Sequence, residues 1–176
     1  MYSEVTSEGQ ATAGRIAHVS DLHFGRTDRV VSEGLLADVR DQAPELVVIS
    51  GDLTMRARNR EYQEAVSFID RLPCRCLCVP GNHDIPHKNL VKRFWSPFRR
   101  YMRYIGDDLM PRLETERYAI IGFNTTRSFD FRSLDWSRGR INLKQLAAAR
   151  AFFDDVPKEK PRIVFGHHPF ILPADD

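Results

Sequence analysis

Four short segments carry residue types that hold metal ions or move protons: Asp21-Leu22-His23, Gly51-Asp52, Gly81-Asn82-His83-Asp84 and Gly166-His167-His168. Imidazole suits Zn, Fe and Mn, while carboxylate and amide oxygens suit harder divalent ions. A mixed set without thiolate points to a transition-metal hydrolase rather than a structural zinc site or an electron carrier. Two ions roughly 3.5–4 Å apart can clamp a phosphoryl group and turn a shared water into a nucleophile near neutral pH. The glycines beside Asp52, Asn82 and His167 allow sharp turns that expose those side chains. Taken singly, Asp21 and Asn82 could be Asx-turn residues and Asp52 a helix cap. What favours one shared site is that all four segments follow the same kind of element.

That element is a strand. Apolar runs at 16–20, 46–50, 74–79 and 162–165 directly precede the four segments. Between them, Val30, Val31, Leu35, Leu36 and Val39 form one helical stripe, and Tyr62, Ala65, Val66, Ile69 and Leu72 form another. Residues 46–50 are continuously apolar, as in a strand covered on both faces. Further on, 89–103 is helical in pattern but broken at Pro97, and 118–123 is a strand. Asn142 caps a helix that carries Leu143, Leu146, Ala147 and Phe153. Alternating strands and helices predict an α/β fold with a largely parallel sheet. In such sheets ligands gather at the carboxyl ends of the strands, which brings Asp21, His23, Asp52, Asn82 and His167 together. Residues 1–14 lack periodicity and read as a flexible tail, leaving 15–176 as the one domain.

Composition narrows the class. The 176 residues balance 26 Lys and Arg against 24 Asp and Glu, a net charge of +2. That balance argues against a disordered polyelectrolyte and against a surface built for nucleic acid. The longest stretch without a charged residue is 163–174, too short to cross a bilayer. The first residues lack the apolar core of a secretory signal, so the expected location is cytoplasmic, with no membrane partner. Cys74, Cys76 and Cys78 share one face of a strand and read as reduced thiols acting as small hydrophobes. His18, inside the first strand, reads as a core or near-core histidine.

Together the four segments, in this order, resemble the calcineurin-like metallophosphoesterases, and most closely their bacterial phosphodiesterase branch. The resemblance runs from about Arg15 to the end. It implies a two-sheet β-sandwich flanked by helices, in α-β-β-α layers, with a dinuclear metal centre and a metal-bound hydroxide as nucleophile. The cofactors it implies are two metal ions, Mn, Fe or Zn. Carried over, Asp21 and His23 ligate the first metal, Asp52 bridges, and Asn82 and His167 ligate the second. His83 is then the catalytic residue at the substrate phosphate, stabilising the transition state or protonating the leaving oxygen. His168 is the second choice for the ligand taken as His167, and could instead contact substrate, as could Arg127 and Arg140 in an arginine-rich loop.

Two features depart from the family pattern. Many relatives orient the catalytic histidine with an acid three residues after the bridging aspartate. Here that residue is Met55, leaving Asp84 or a backbone carbonyl for the task. The family's last motif, Gly-His-x-His, is absent, so the domain reads as C-terminally incomplete and weak or inactive alone. An uncovered sheet edge near 163–165 is then expected, compatible with a homodimer. The expected substrate is a small phosphoester, nucleotide-like or lipid-head-group-like. A nuclease, or a non-catalytic binding module on the same fold, is the alternative. The basic and aromatic run 88–103 reads as a solvated helix face over a core face.

Overall fold

A computed structural model describes residues 14–86, 90–127 and 139–170. The tail up to residue 13, His87 and Lys88, and Arg132, Trp136 and Arg138 of the arginine-rich loop lie outside the described residues.

The chain forms β1 (Ile16–Val19), α1 (Arg29–Gln42), β2 (Leu46–Ile49), α2 (Asn59–Ile69) and β3 (Arg75–Cys78). A single 3-10 turn over Asn82–Asp84 follows, then α3 (Leu90–Trp95), α4 (Arg99–Tyr104), β4 (Arg112–Glu114), β5 (Ala119–Phe123), α5 (Leu143–Asp154) and β6 (Arg162–Gly166). The strands make two three-stranded sheets. In the first, β2 lies between β1 and β3, and all pairs are parallel. In the second, β5 pairs parallel with β6 and antiparallel with β4. The expectation of a largely parallel sheet is thus met by one sheet and modified in the other.

Alternation along β2 explains the layers. Val47 and Ile49 pack beneath α1 and α2 with Leu36, Val39, Tyr62 and Phe68. Leu46 and Val48 face the other way, joining Leu77, Tyr118, Ile120 and Phe165 between the sheets. Ile121 and Phe123 turn outward to meet Ala149 of α5. The result is the expected α-β-β-α sandwich. Helix α1 starts on an Asp28 cap, whose Oδ1 accepts from Val30 N at 2.7 Å. Asn142 caps α5 by accepting from Gln145 N at 3.0 Å. Pro97 separates α3 from α4, as its ring requires.

Several sequence expectations need correction. Val30 and Val31 are exposed at 80% and 66%, so the buried stripe of α1 is carried by Leu36 and Val39. Leu143, Leu146 and Ala147 are also exposed, because α5 turns Ala149 to the sheet. His18 is exposed rather than in the core, since β1 is a sheet edge; its Nε2 lies 2.7 Å from Ser50 Oγ. The three cysteines are free and half-buried against the helix-side core. Hydrogen bonding with Cys78, together with burial, pushes the Cys76 thiol up, in keeping with reduced thiols. At the other edge, β6 exposes Val164, while Phe165 is buried between the sheets.

Candidate metal and phosphoester site

Because β1, β2 and β3 are parallel, their carboxyl ends lie on one side of the sheet, and the loops there are zipped together. Ser50 N donates to Val19 O, Asp21 N to Gly51 O, His23 N to Asp52 O and Phe24 N to Leu53 O, all at 2.8–3.2 Å. The loop after β3 joins through Asp84, which is fully buried. Its Oδ1 accepts from Thr54 N at 2.8 Å and from Thr54 Oγ1 at 3.0 Å. Its Oδ2 accepts from Gly81 N at 2.9 Å and Leu53 N at 3.2 Å. One carboxylate therefore ties the loop carrying Asp52 to the turn carrying Asn82 and His83. Burial, with a smaller push from Asp52, raises its pKa to about 6 against the pull of those donors.

The backbone at the site is strained. Asp21, His23 and Asp52 have φ of 58°, 46° and 54°, the left-handed region that non-glycine residues rarely enter. Such conformations cost on the order of 1–3 kcal/mol each and persist where surrounding structure holds them, mostly at functional sites. Two glycines make the close approach feasible. A Cβ on Gly81 would fall 2.1 Å from Asp52 Oδ1, and one on Gly51 would meet Gly81 N at 2.7 Å.

The side chains converge in two overlapping groups. Asp21, His23 and Asp52 present ligand atoms within 4.8 Å of one another. His23 Nε2 lies 3.6 Å from Asp21 Oδ1 and 3.7 Å from Asp52 Oδ2. The same Oδ2 lies 3.5 Å from His167 Nε2, and that nitrogen is 2.9 Å from Asn82 Oδ1. His167 Nδ1 is 2.9 Å from Ser50 O, a carbonyl that can only accept, so Nδ1 carries the proton. In the neutral ring Nε2 is then a lone pair facing two oxygens. A cation among the three would satisfy them together, as would a proton on Nε2. The donor set therefore fits metal binding at both groups, with Asp52 common to them and 3% exposed.

His83 stands beside both groups. Its backbone N–H donates to Asp52 Oδ1 at 2.8 Å, and its ring meets His23 edge to face at 4.8 Å. Its Nδ1 is 2.9 Å from Met55 O, so the orienting acceptor is a backbone carbonyl rather than Asp84. That bond places a proton on Nδ1. His83, Asp21 and His23 line one cavity of about 520 Å³ with Arg26, Val31 and Met55.

His168 packs its ring edge to face against His167 at 4.8 Å, with Nδ1 2.7 Å from Thr125 Oγ1, and both histidines line a second cavity, between the β1 and β6 edges. Arg140 N donates to Thr125 O at 2.9 Å. Neither Arg127 nor Arg140 lines either cavity. Sequence reasoning passes over Thr54 and Arg26 and places Val31 on a helical stripe. Thr54 has the spacing of a loop polar residue only, and Val31 was assigned to the core by its helical period.

Comparison with known proteins identifies the family. A family model described as calcineurin-like phosphoesterase matches residues 14–175. Glycerophosphodiester phosphodiesterase GpdQ of Enterobacter lignolyticus is 32% identical over 88% of this chain and 56% of its own length. A probable cyclic nucleotide phosphodiesterase of Synechococcus is 25% identical over 51% of this chain and 39% of its own. The chain thus spans about half the length of the curated relatives it matches, or less. The crystal structure of phosphopantetheinyl hydrolase from Mycobacterium tuberculosis superposes with a TM-score of 0.51 at 15% identity, covering 88% of this chain and 68% of that one. Among the described residues, no helix is long and apolar enough to cross a membrane.

Proposed function

The chain belongs to the calcineurin-like phosphoesterases, and from that premise we propose that it is a metal-dependent phosphodiesterase acting on a small phosphodiester. The substrate is of the glycerophosphodiester or nucleotide kind that its relatives' names record. The observation that carries the reading is the position of Asp52 Oδ2, within 3.7 Å of both His23 Nε2 and His167 Nε2. Asp21, His23 and Asp52 would hold one ion, and Asp52, Asn82 and His167 the other, with Mn, Fe or Zn matching these donors. When bound, such a pair supplies Lewis acidity to the phosphoryl oxygens and an acidified water.

The chain's own residues do the rest. His83, fixed by Met55 O, directs Nε2 at the reacting phosphate. As water oxygen adds to phosphorus, the bond to the departing alcohol breaks and its electron pair stays on the alcohol oxygen. Protonated Nε2 gives its proton to that oxygen, and the water's proton passes to solvent. The buried Asp52 holds the His83 backbone N–H and so sets the distance between the donor groups and the acid.

Turnover of bis(4-nitrophenyl) phosphate with Mn²⁺, measured beside metal content per chain, tests this. His83→Ala should lower the rate about 10²–10⁴-fold and leave metal content intact. Loss of the metals in that variant would place His83 among the ligands and overturn its role. Because the family's last histidine motif is absent, the rate is expected to be low, and a residual rate that Asp52→Asn leaves unchanged would overturn the enzymatic reading.

A further inference from the structure

The cavity beside His83 has a wall that neither metal binding nor the core explains. Val31 is 66% exposed in the first turn of α1, where a polar residue would cost nothing and a β-branched apolar one gains no burial. It lines the cavity with Met55, which is half-buried, and Arg26, which is exposed. Two other polar residues on this wall already have partners, and the Asp28 carboxylate is one of them. Thr27 Oγ1 donates to Leu22 O, and Asp28 Oδ1 caps α1. Arg26 is held in place by its backbone, whose N–H donates to His23 O at 3.0 Å. Its guanidinium meets no acceptor among the described residues.

We propose that this cavity is the subsite for the departing alcohol, and that it selects a small alcohol bearing an anionic group. The inference rests on the phosphodiesterase reading and deepens it. The alcohol that takes its proton from His83 Nε2 must lie on the side of that ring, and His83 lines this cavity. A volume of about 520 Å³ falls within the roughly 300–1,000 Å³ of small-molecule sites, enough for one head group. Val31 and Met55 offer an apolar wall for its carbon skeleton. Arg26 offers paired N–H donors whose fork matches a carboxylate or phosphate.

The test uses two diesters that keep the same methyl group and differ in what leaves: methyl 4-carboxyphenyl phosphate and methyl 4-nitrophenyl phosphate. Their kcat/KM values are compared between wild type and Arg26→Ala with Mn²⁺. The variant should lose about 10-fold on the carboxyphenyl ester, as expected for a charge-assisted hydrogen bond, and less than about 3-fold on the nitrophenyl ester. Arg26→Lys should recover part of the loss. Equal effects on both esters, or none, would overturn the subsite. A second readout needs no turnover: the Val31 methyl NMR signals should shift on titration with 4-carboxyphenol and respond less in Arg26→Ala. A residual rate that Asp52→Asn leaves unchanged, with Val31 signals that still shift, would count against the enzymatic reading alone. Unmoved signals would count against the subsite.

Discussion

The loops after β1, β2 and β3 and the loop after β6 reach the same site by different means. The first three are locked to one another by backbone hydrogen bonds, by the Asp84 carboxylate and by three left-handed residues held in place. The last brings one side chain, His167, fixed through its ring to Ser50 O and facing Asn82. Its strand, β6, sits at a sheet edge and depends on Phe165, packed between the sheets. Position is therefore set by polar over-determination on one side and by apolar packing on the other. A site built this way holds four of the five proposed donors without the second sheet's help, and gains His167 only when the sandwich closes.

The largest expected effect separates these two supports. Phe165→Ala should cost about 3–5 kcal/mol in stability, as for a large aromatic removed from a packed core, measured by denaturant unfolding. It should also loosen His167. A loss below about 1 kcal/mol would mean that the second sheet is not held by this contact. Asp84→Asn should cost less, about 1–3 kcal/mol, because the new amide N–H₂ faces backbone donors that the carboxylate had satisfied. Its mark is local: amide hydrogen exchange at Leu53, Thr54 and Gly81 should accelerate ahead of the rest of the first sheet. Unchanged exchange there would break the contrast drawn between the two regions. Val164→Thr, at the exposed edge of β6, should change stability by no more than about 0.5 kcal/mol. A larger loss would show that this edge is covered in solution.

The sequence exposes these two regions unequally. The continuous apolar run of β2 announced burial on both faces, and the four ligand-bearing segments were legible because each follows a strand. Strand β4 was not, since Arg112, Leu113 and Glu114 carry no period and become a strand only by pairing with β5. Helix α5 was found, but its buried face was misassigned. It meets the sheet through the small Ala149, and a stripe of larger residues at 143 and 146 stays in solvent. At the site, the family resemblance pointed to Asp52 as the shared donor, while the group orienting His83 stayed open between Asp84 and a backbone carbonyl. A backbone carbonyl, Met55 O, has no signature in the side chain that bears it.

The most direct test of Asp52 as the shared donor is electron paramagnetic resonance of the chain titrated with Mn²⁺, wild type beside Asp52→Asn. Two ions close enough to share a carboxylate couple magnetically, so the wild type should give an exchange-coupled spectrum at two Mn²⁺ per chain. Asp52→Asn should lose the coupling and part of the bound Mn²⁺, a deficit beyond the roughly 10–100-fold in affinity typical of an outer-shell partner. A coupled spectrum that persists unchanged in Asp52→Asn, or a wild type that binds Mn²⁺ only as isolated ions, would contradict the assignment of Asp52 as the bridge.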